Sequence, residues 1–99
     1  MREEMFRTYM EEAEEIESKK KAINSRISRA YKAEEILGMS LDMVVEDDDK
    51  MNRALVCIKK NPSERNGNIQ NAVRWYYRFV NKKEFPAINT YVRTKGKHI

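Results

Sequence analysis

Apolar residues recur along this chain mostly at steps of three and four, the spacing of one face of an α-helix, and the fullest stripe lies within residues 68–83. There Ile69, Ala72, Val73, Tyr76, Phe79 and Val80 fall on one side, while Asn71, Arg74, Arg78 and Lys82 lie nearly opposite, with Trp75 and Tyr77 on the shoulders. The stripe predicts a core-facing helix. Its far side reads either as a solvated outer face or as a face that meets an anion.

Earlier in the chain, Met5, Phe6, Tyr9, Met10, Ala13 and Ile16 predict a first helix over residues 2–21. Glu3 and Glu4 suit its positive N-terminal end, and Lys19, Lys20 and Lys21 suit its negative C-terminal end. Asn24 or Ser25 then caps a second helix carrying Ile23, Ile27, Ala30, Tyr31 and Leu37, with Gly38 as a left-handed stop; one long helix through residue 23 is the alternative. Met39, Leu41, Met43, Val44 and Val45 form a short apolar plug. Asp48 or Asp49 opens a third long helix with Met51, Leu55 and Ile58, which stops at Asn61-Pro62. A loop over residues 62–67 leads to the organising helix, Phe85-Pro86 breaks the pattern, Ile88, Tyr91 and Val92 allow a short last helix, and residues 93–99 read as a basic tail. The expected fold is a single all-α domain, a small four- to five-helix bundle with its core in residues 2–86.

Charge changes this picture more than composition does. Residues 1–17 carry two basic and seven acidic groups, a net of −5, and residues 38–49 carry five acidic groups and no basic one, also −5. Between and after them, residues 18–37 hold six basic and two acidic groups, a net of +4, and residues 50–99 hold twelve and two, a net of +10. Segregation of this kind predicts a positive surface able to attract a polyanion. With 36% charged residues and a mean hydropathy of −0.85, the 99-residue chain has no apolar run of the length a membrane span needs. It starts without the basic and apolar regions of a secretory signal, so a cytosolic location is expected.

Candidate chemistry is sparse. No glycine-rich phosphate loop, HExxH or CxxC is present, and no nucleophile has a histidine near it in sequence, so neither catalysis nor a metal or other cofactor is expected. The acidic run at residues 46–49 lacks the spacing of an EF-hand and reads as a helix cap. His98 has no visible partners, and Cys57, set among Leu55, Val56 and Ile58, is expected to be a buried structural thiol.

A helix bearing Ser25, Ser28, Arg29 and Tyr31, an Ile-Leu-Gly stop at residues 36–38, the segment LDMV, a short helix and then NIQNAVRWYYRFV together resemble the core-binding (SAM-like) domain of phage-type tyrosine recombinases. The likeness spans residues 22–86 and rests on helix periodicity and an arginine-aromatic signature. It implies half of a DNA clamp that touches phosphates and groove with its second and last helices. By position it points to Asn24, Ser25, Arg26 and Arg29 on the former and to Asn68, Gln70, Asn71, Arg74 and Arg78 on the latter. Arg65 and Lys82, which flank the last helix, complete the candidate set. The family's catalytic arginines, histidines and tyrosine have no counterparts in these 99 residues, and the acidic first helix departs from the pattern. The expected function is therefore non-catalytic binding of double-stranded DNA. The competing reading is a small interaction or inhibitor protein that docks on another protein through its segregated acidic and basic surfaces, the acidic first helix among them.

Overall fold

The computed structural model describes residues 1–16 and 19–87. Five helices follow one another: α1 (Glu3–Glu11), α2 (Lys19–Leu37), α3 (Leu41–Val45), α4 (Asp48–Lys59) and α5 (Asn68–Asn81), with no strand among the described residues. The all-α bundle expected from the apolar spacing is what the chain forms. None of the helices is long and apolar enough to cross a membrane.

The stripe on α5 explains its central place. Ile69, Ala72, Val73, Tyr76 and Phe79 are all buried and meet Phe6 and Met10 of α1, Ile27 and Ala30 of α2, Leu41 of α3 and Leu55 and Ile58 of α4 in one cluster. Only α2 and α5 pack against every other helix, and each packs most extensively on the other. Fully burying a side chain of this size contributes about 1.5–3 kcal/mol, so the α2–α5 contact, the most extensive in the bundle, carries a large share of the core.

Local signals fix most boundaries. Gly38 adopts φ +67° and its N–H bonds the Glu34 carbonyl at 2.8 Å, ending α2 as expected. Ser40 caps α3, so the apolar plug is a short helix. At α4 the cap is Asp47, one or two residues before the positions expected, and its carboxylate accepts from the N–H groups of Asp49 and Lys50 at 2.8 and 3.0 Å. α5 starts after Gly67 (φ +74°) with no cap from that residue. Glu64 supplies it instead, its two oxygens each accepting at 2.8 Å from Ile69 N–H and Gln70 N–H.

Three expectations need correction. α1 ends at Glu11, not near residue 21, and Ala13 and Ile16 keep the helical apolar spacing from within turns, where Ile16 is still buried. α2 already runs from Lys19, so neither Asn24 nor Ser25 is a cap, and Lys19 to Lys21 open a helix rather than close one. Lys19 nevertheless serves the end of α1 from across the turn, its ammonium donating to the carbonyls of Glu11 and Ala13 at 2.7 and 2.8 Å. Cys57 is exposed, because it stands about 200° around α4 from the buried Leu55, and its apolar neighbours in sequence face elsewhere. The last helix allowed by Ile88, Tyr91 and Val92, the basic tail and His98 lie outside the described residues.

Candidate nucleic-acid interface

Trp75 stands on the shoulder of α5, between its charged side and its buried side, partly buried against the core. The Arg78 guanidinium lies 4.8 Å from its ring centroid and that of Arg26, from α2, lies 5.6 Å away, while Tyr9 of α1 meets the ring edge-on at 6.3 Å. Contact between α2 and α5 thus brings candidate cations from two distant stretches of sequence to one aromatic platform. Beside it, Asn71, Arg74, Trp75, Arg78, Glu15, Glu84 and Phe85 line a cleft of about 400 Å³.

The four arginines here differ in what holds them. Arg26 is partly buried, its Nη1 reaches the Ala22 carbonyl at 3.4 Å, and its buried Nε has no hydrogen-bond partner. Burial and, after it, the nearby charge of Arg29 push the Arg26 pKa down from its ordinary value. Arg74 donates through Nη1 to the carbonyls of Phe85 and Pro86 at 2.8 and 3.1 Å and lies 5.9 Å from the Phe85 ring. Burial lowers its pKa too, with the charge of Glu84 opposing the fall. Arg78 donates to Glu15 at 2.7 Å, and this bond raises the arginine's pKa and lowers that of the carboxylate. Arg29 shows no ion pair among the described residues. Arg26 and Arg78 thus flank the Trp75 ring, Arg74 lines the cleft beside it and Arg29 is the charged neighbour of Arg26, while among the described residues the carboxylates that line the cleft are Glu15 and Glu84.

Most of the remaining candidates lie at three other places. Asn24 is exposed but turned toward α1, where its Oδ1 accepts from Arg7 at 2.7 Å. Lys82 forms the left-handed end of α5 (φ +60°), with its ammonium 5.2 and 5.4 Å from the rings of Tyr9 and Phe79. Arg65, Asn68 and Gln70 gather at the N-terminus of α5, where Glu64 already occupies the N–H groups. Ser25 is partly buried beside Arg26 in sequence, and Asn71 is exposed at the cleft. Of the eleven, Arg26 and Arg78 lie against Trp75, Asn71 and Arg74 line the cleft with it, and Arg29 is the charged neighbour of Arg26.

Two participants escaped the sequence reading. Tyr77, placed on a shoulder, is buried because the chain folds back after α5 and sets Phe85 against it at 5.1 Å, while its hydroxyl donates to Asp48 at 2.8 Å. Phe85 is accordingly core rather than a break, and the turn that places it is made by a lysine in a conformation that favours glycine, which leaves no residue-type signal. Glu15 is the other, and an isolated carboxylate in an acidic stretch gives no hint of its arginine partner. Comparison with known proteins finds no matching family model, no similar curated protein and no similar solved structure.

Proposed function

We propose that the protein is a non-catalytic, cytosolic DNA-binding module that meets the duplex with the α2–α5 face around Trp75, as its resemblance to the recombinase core-binding domain implies. The observation that carries this reading is the surplus of guanidiniums there. Arg26 has no carboxylate partner among the described residues, and burial and the charge of Arg29 both work against its own charge, which a phosphate brought to this face would favour. Arg78 and Arg29 extend the same field along two helices, giving contacts that position the backbone, and Asn71 offers the amide donor and acceptor that can read a base edge. The N-terminus of α5 plays no part in holding phosphate, since Glu64 fills it.

Titration of random-sequence duplex DNA at several salt concentrations tests the reading. Log affinity should fall linearly with log salt at a slope of about 0.9 for each phosphate neutralised, and neutralising Arg26 and Arg29 together (Arg26→Gln with Arg29→Gln) should make that slope shallower by about 2. A native protein with no salt-sensitive binding to duplex sinks the proposal.

A further inference from the structure

The cleft beside Trp75 has a neighbour of about 510 Å³ lined by Tyr9, Glu12, Ala13, Glu14, Glu15 and Arg78. Glu15 and Arg78 belong to both linings, so their 2.7 Å bridge is the wall between the two. On one side the cleft holds arginine and tryptophan; on the other it holds Glu12, Glu14 and Glu15, three acidic residues within four positions of the turn after α1. We infer that Glu15 stands in for a backbone phosphate on Arg78 in the free protein, and that a DNA phosphate displaces it and joins the two clefts into one groove. This inference rests on the DNA-binding reading and adds to it a built-in competitor.

The chemistry favours exchange. The bridge runs through one nitrogen, Nη2, and one oxygen, Oε1, so the arginine's fork is not used in full, whereas a phosphate accepts through two oxygens at once. Glu15 is 56% exposed and Arg78 28%, and pairs open to solvent to this degree hold weakly. Mobility costs little as well. Glu15 sits in a turn, outside any helix, while the adjoining Ile16 is 3% exposed and pins the main chain, so the carboxylate can swing away without undoing α1. Released, it stays on the side of Glu12 and Glu14 and is repelled, as they are, by the incoming phosphates.

The test compares Glu15→Gln with Glu12→Gln. Both remove one negative charge beside the same cleft, but only the first touches Arg78. Glu15→Gln should bind duplex up to about five-fold more tightly than wild type, and Glu12→Gln should gain clearly less. The gain should vanish when Arg78→Ala is added. Trp75, the only tryptophan, reports independently: with Arg78 4.8 Å from its ring, its emission in free Glu15→Gln should move toward that of DNA-bound wild type. Equal gains from the two glutamines would reduce the effect to net charge and overturn the displacement. So would an unchanged Glu15→Gln in a protein whose binding still falls with Arg29→Gln, an outcome that leaves the DNA reading standing. If neither wild type nor Glu15→Gln binds duplex with any salt dependence, both fall together.

Discussion

Two adjacent residues of α5, Trp75 and Tyr76, anchor two polar networks built on opposite terms. Around Tyr76, fully buried, the charges close on themselves: its hydroxyl donates to Asp42 and accepts the Arg2 N–H at 2.9 Å, and Asp42 also takes Arg2 Nε at 3.1 Å and the Met1 amine at 3.3 Å. Around Trp75, half-open to solvent, arginines outnumber carboxylates and lean on rings, main-chain carbonyls and one exposed glutamate. A network whose every charge is matched has a structural use, because desolvation is offset by partners inside the fold. One left with unmatched charge at the surface is stable only at a cost that an external anion can relieve. The first network holds α1, α3 and α5 together; the second is the one the DNA-binding proposal assigns to a partner.

Phe79 is where the comparison breaks most severely, because it supports both sides. Its ring meets Phe6 and Tyr9 at 5.6 Å and Tyr76 at 5.4 Å, with the Arg2 guanidinium 5.3 Å away. Phe79→Ala should cost about 3–5 kcal/mol, a large share of the stability of so small a domain, and should lower the melting temperature steeply. A near wild-type melting curve would show that α5 is not the shared anchor.

Tyr76→Phe sharpens the comparison on the closed side. It removes a buried hydroxyl and leaves Asp42 short of a donor, for an expected loss of about 1–3 kcal/mol. The acid limb of stability should respond in a particular direction. Burial works to raise the Asp42 pKa, but the hydrogen bonds from Tyr76, Arg2 and the amino terminus prevail and hold it below its ordinary 3.8. Its contribution is therefore complete above pH of about 3.8 and is lost as pH falls from there through the lower folded-state value. Chemical denaturation across this range should show a shallower acid loss in Tyr76→Phe than in wild type; an unchanged limb would mean that the tyrosine does not hold the carboxylate ionised.

Arg74 crosses between the two kinds of network, since it belongs to the open cluster by position but is spent on the fold. The Arg74→Ala change removes two bonds to carbonyls of the returning segment and the contact with Phe85, so stability should fall by about 1–2 kcal/mol. Lysine, lacking the planar fork, should restore only part of the loss. Arg74→Lys as stable as wild type would return this residue to the set available for a ligand.

How far sequence reasoning reached follows the same division. Periodicity placed the buried side of α5 because six apolar positions over more than three turns leave one face to choose, and Gly38 and Pro62 are residue types whose backbone limits are local. It failed where a local pattern had a non-local cause. Ala13 and Ile16 extend the stripe of α1 past its end because a turn packs Ile16 into the same core. The run of apolar residues around Cys57 suggested burial, although an α-helix sends consecutive side chains to different sides. At the charged face, the residues were legible but their engagement was not. Arg74 and Arg78 read alike in sequence, and only the folded chain shows one tied to a returning main chain and the other to Glu15.

The smallest expected effect on stability belongs to Arg29, and it isolates the surplus that defines the open network. Arg29 makes no ion pair among the described residues, and its charge depresses the Arg26 pKa, after burial, so the two guanidiniums oppose one another in the folded state. Arg29→Gln keeps a long polar side chain on α2 while removing that repulsion. Folding stability should stay within about 0.5 kcal/mol of wild type, with any change tending toward a gain at low salt, where repulsion is least screened. Under the DNA-binding proposal duplex binding should respond in the opposite sense, with weaker affinity and a salt slope shallower by about 1, because the same charge that burdens the free protein would meet a phosphate in the complex. Opposite signs for folding and binding are the signature of a charge kept for a partner. If Arg29→Gln instead destabilises the protein by more than about 1 kcal/mol and leaves the slope unchanged, the cluster around Trp75 is as structural as the one around Tyr76, and the contrast between them disappears.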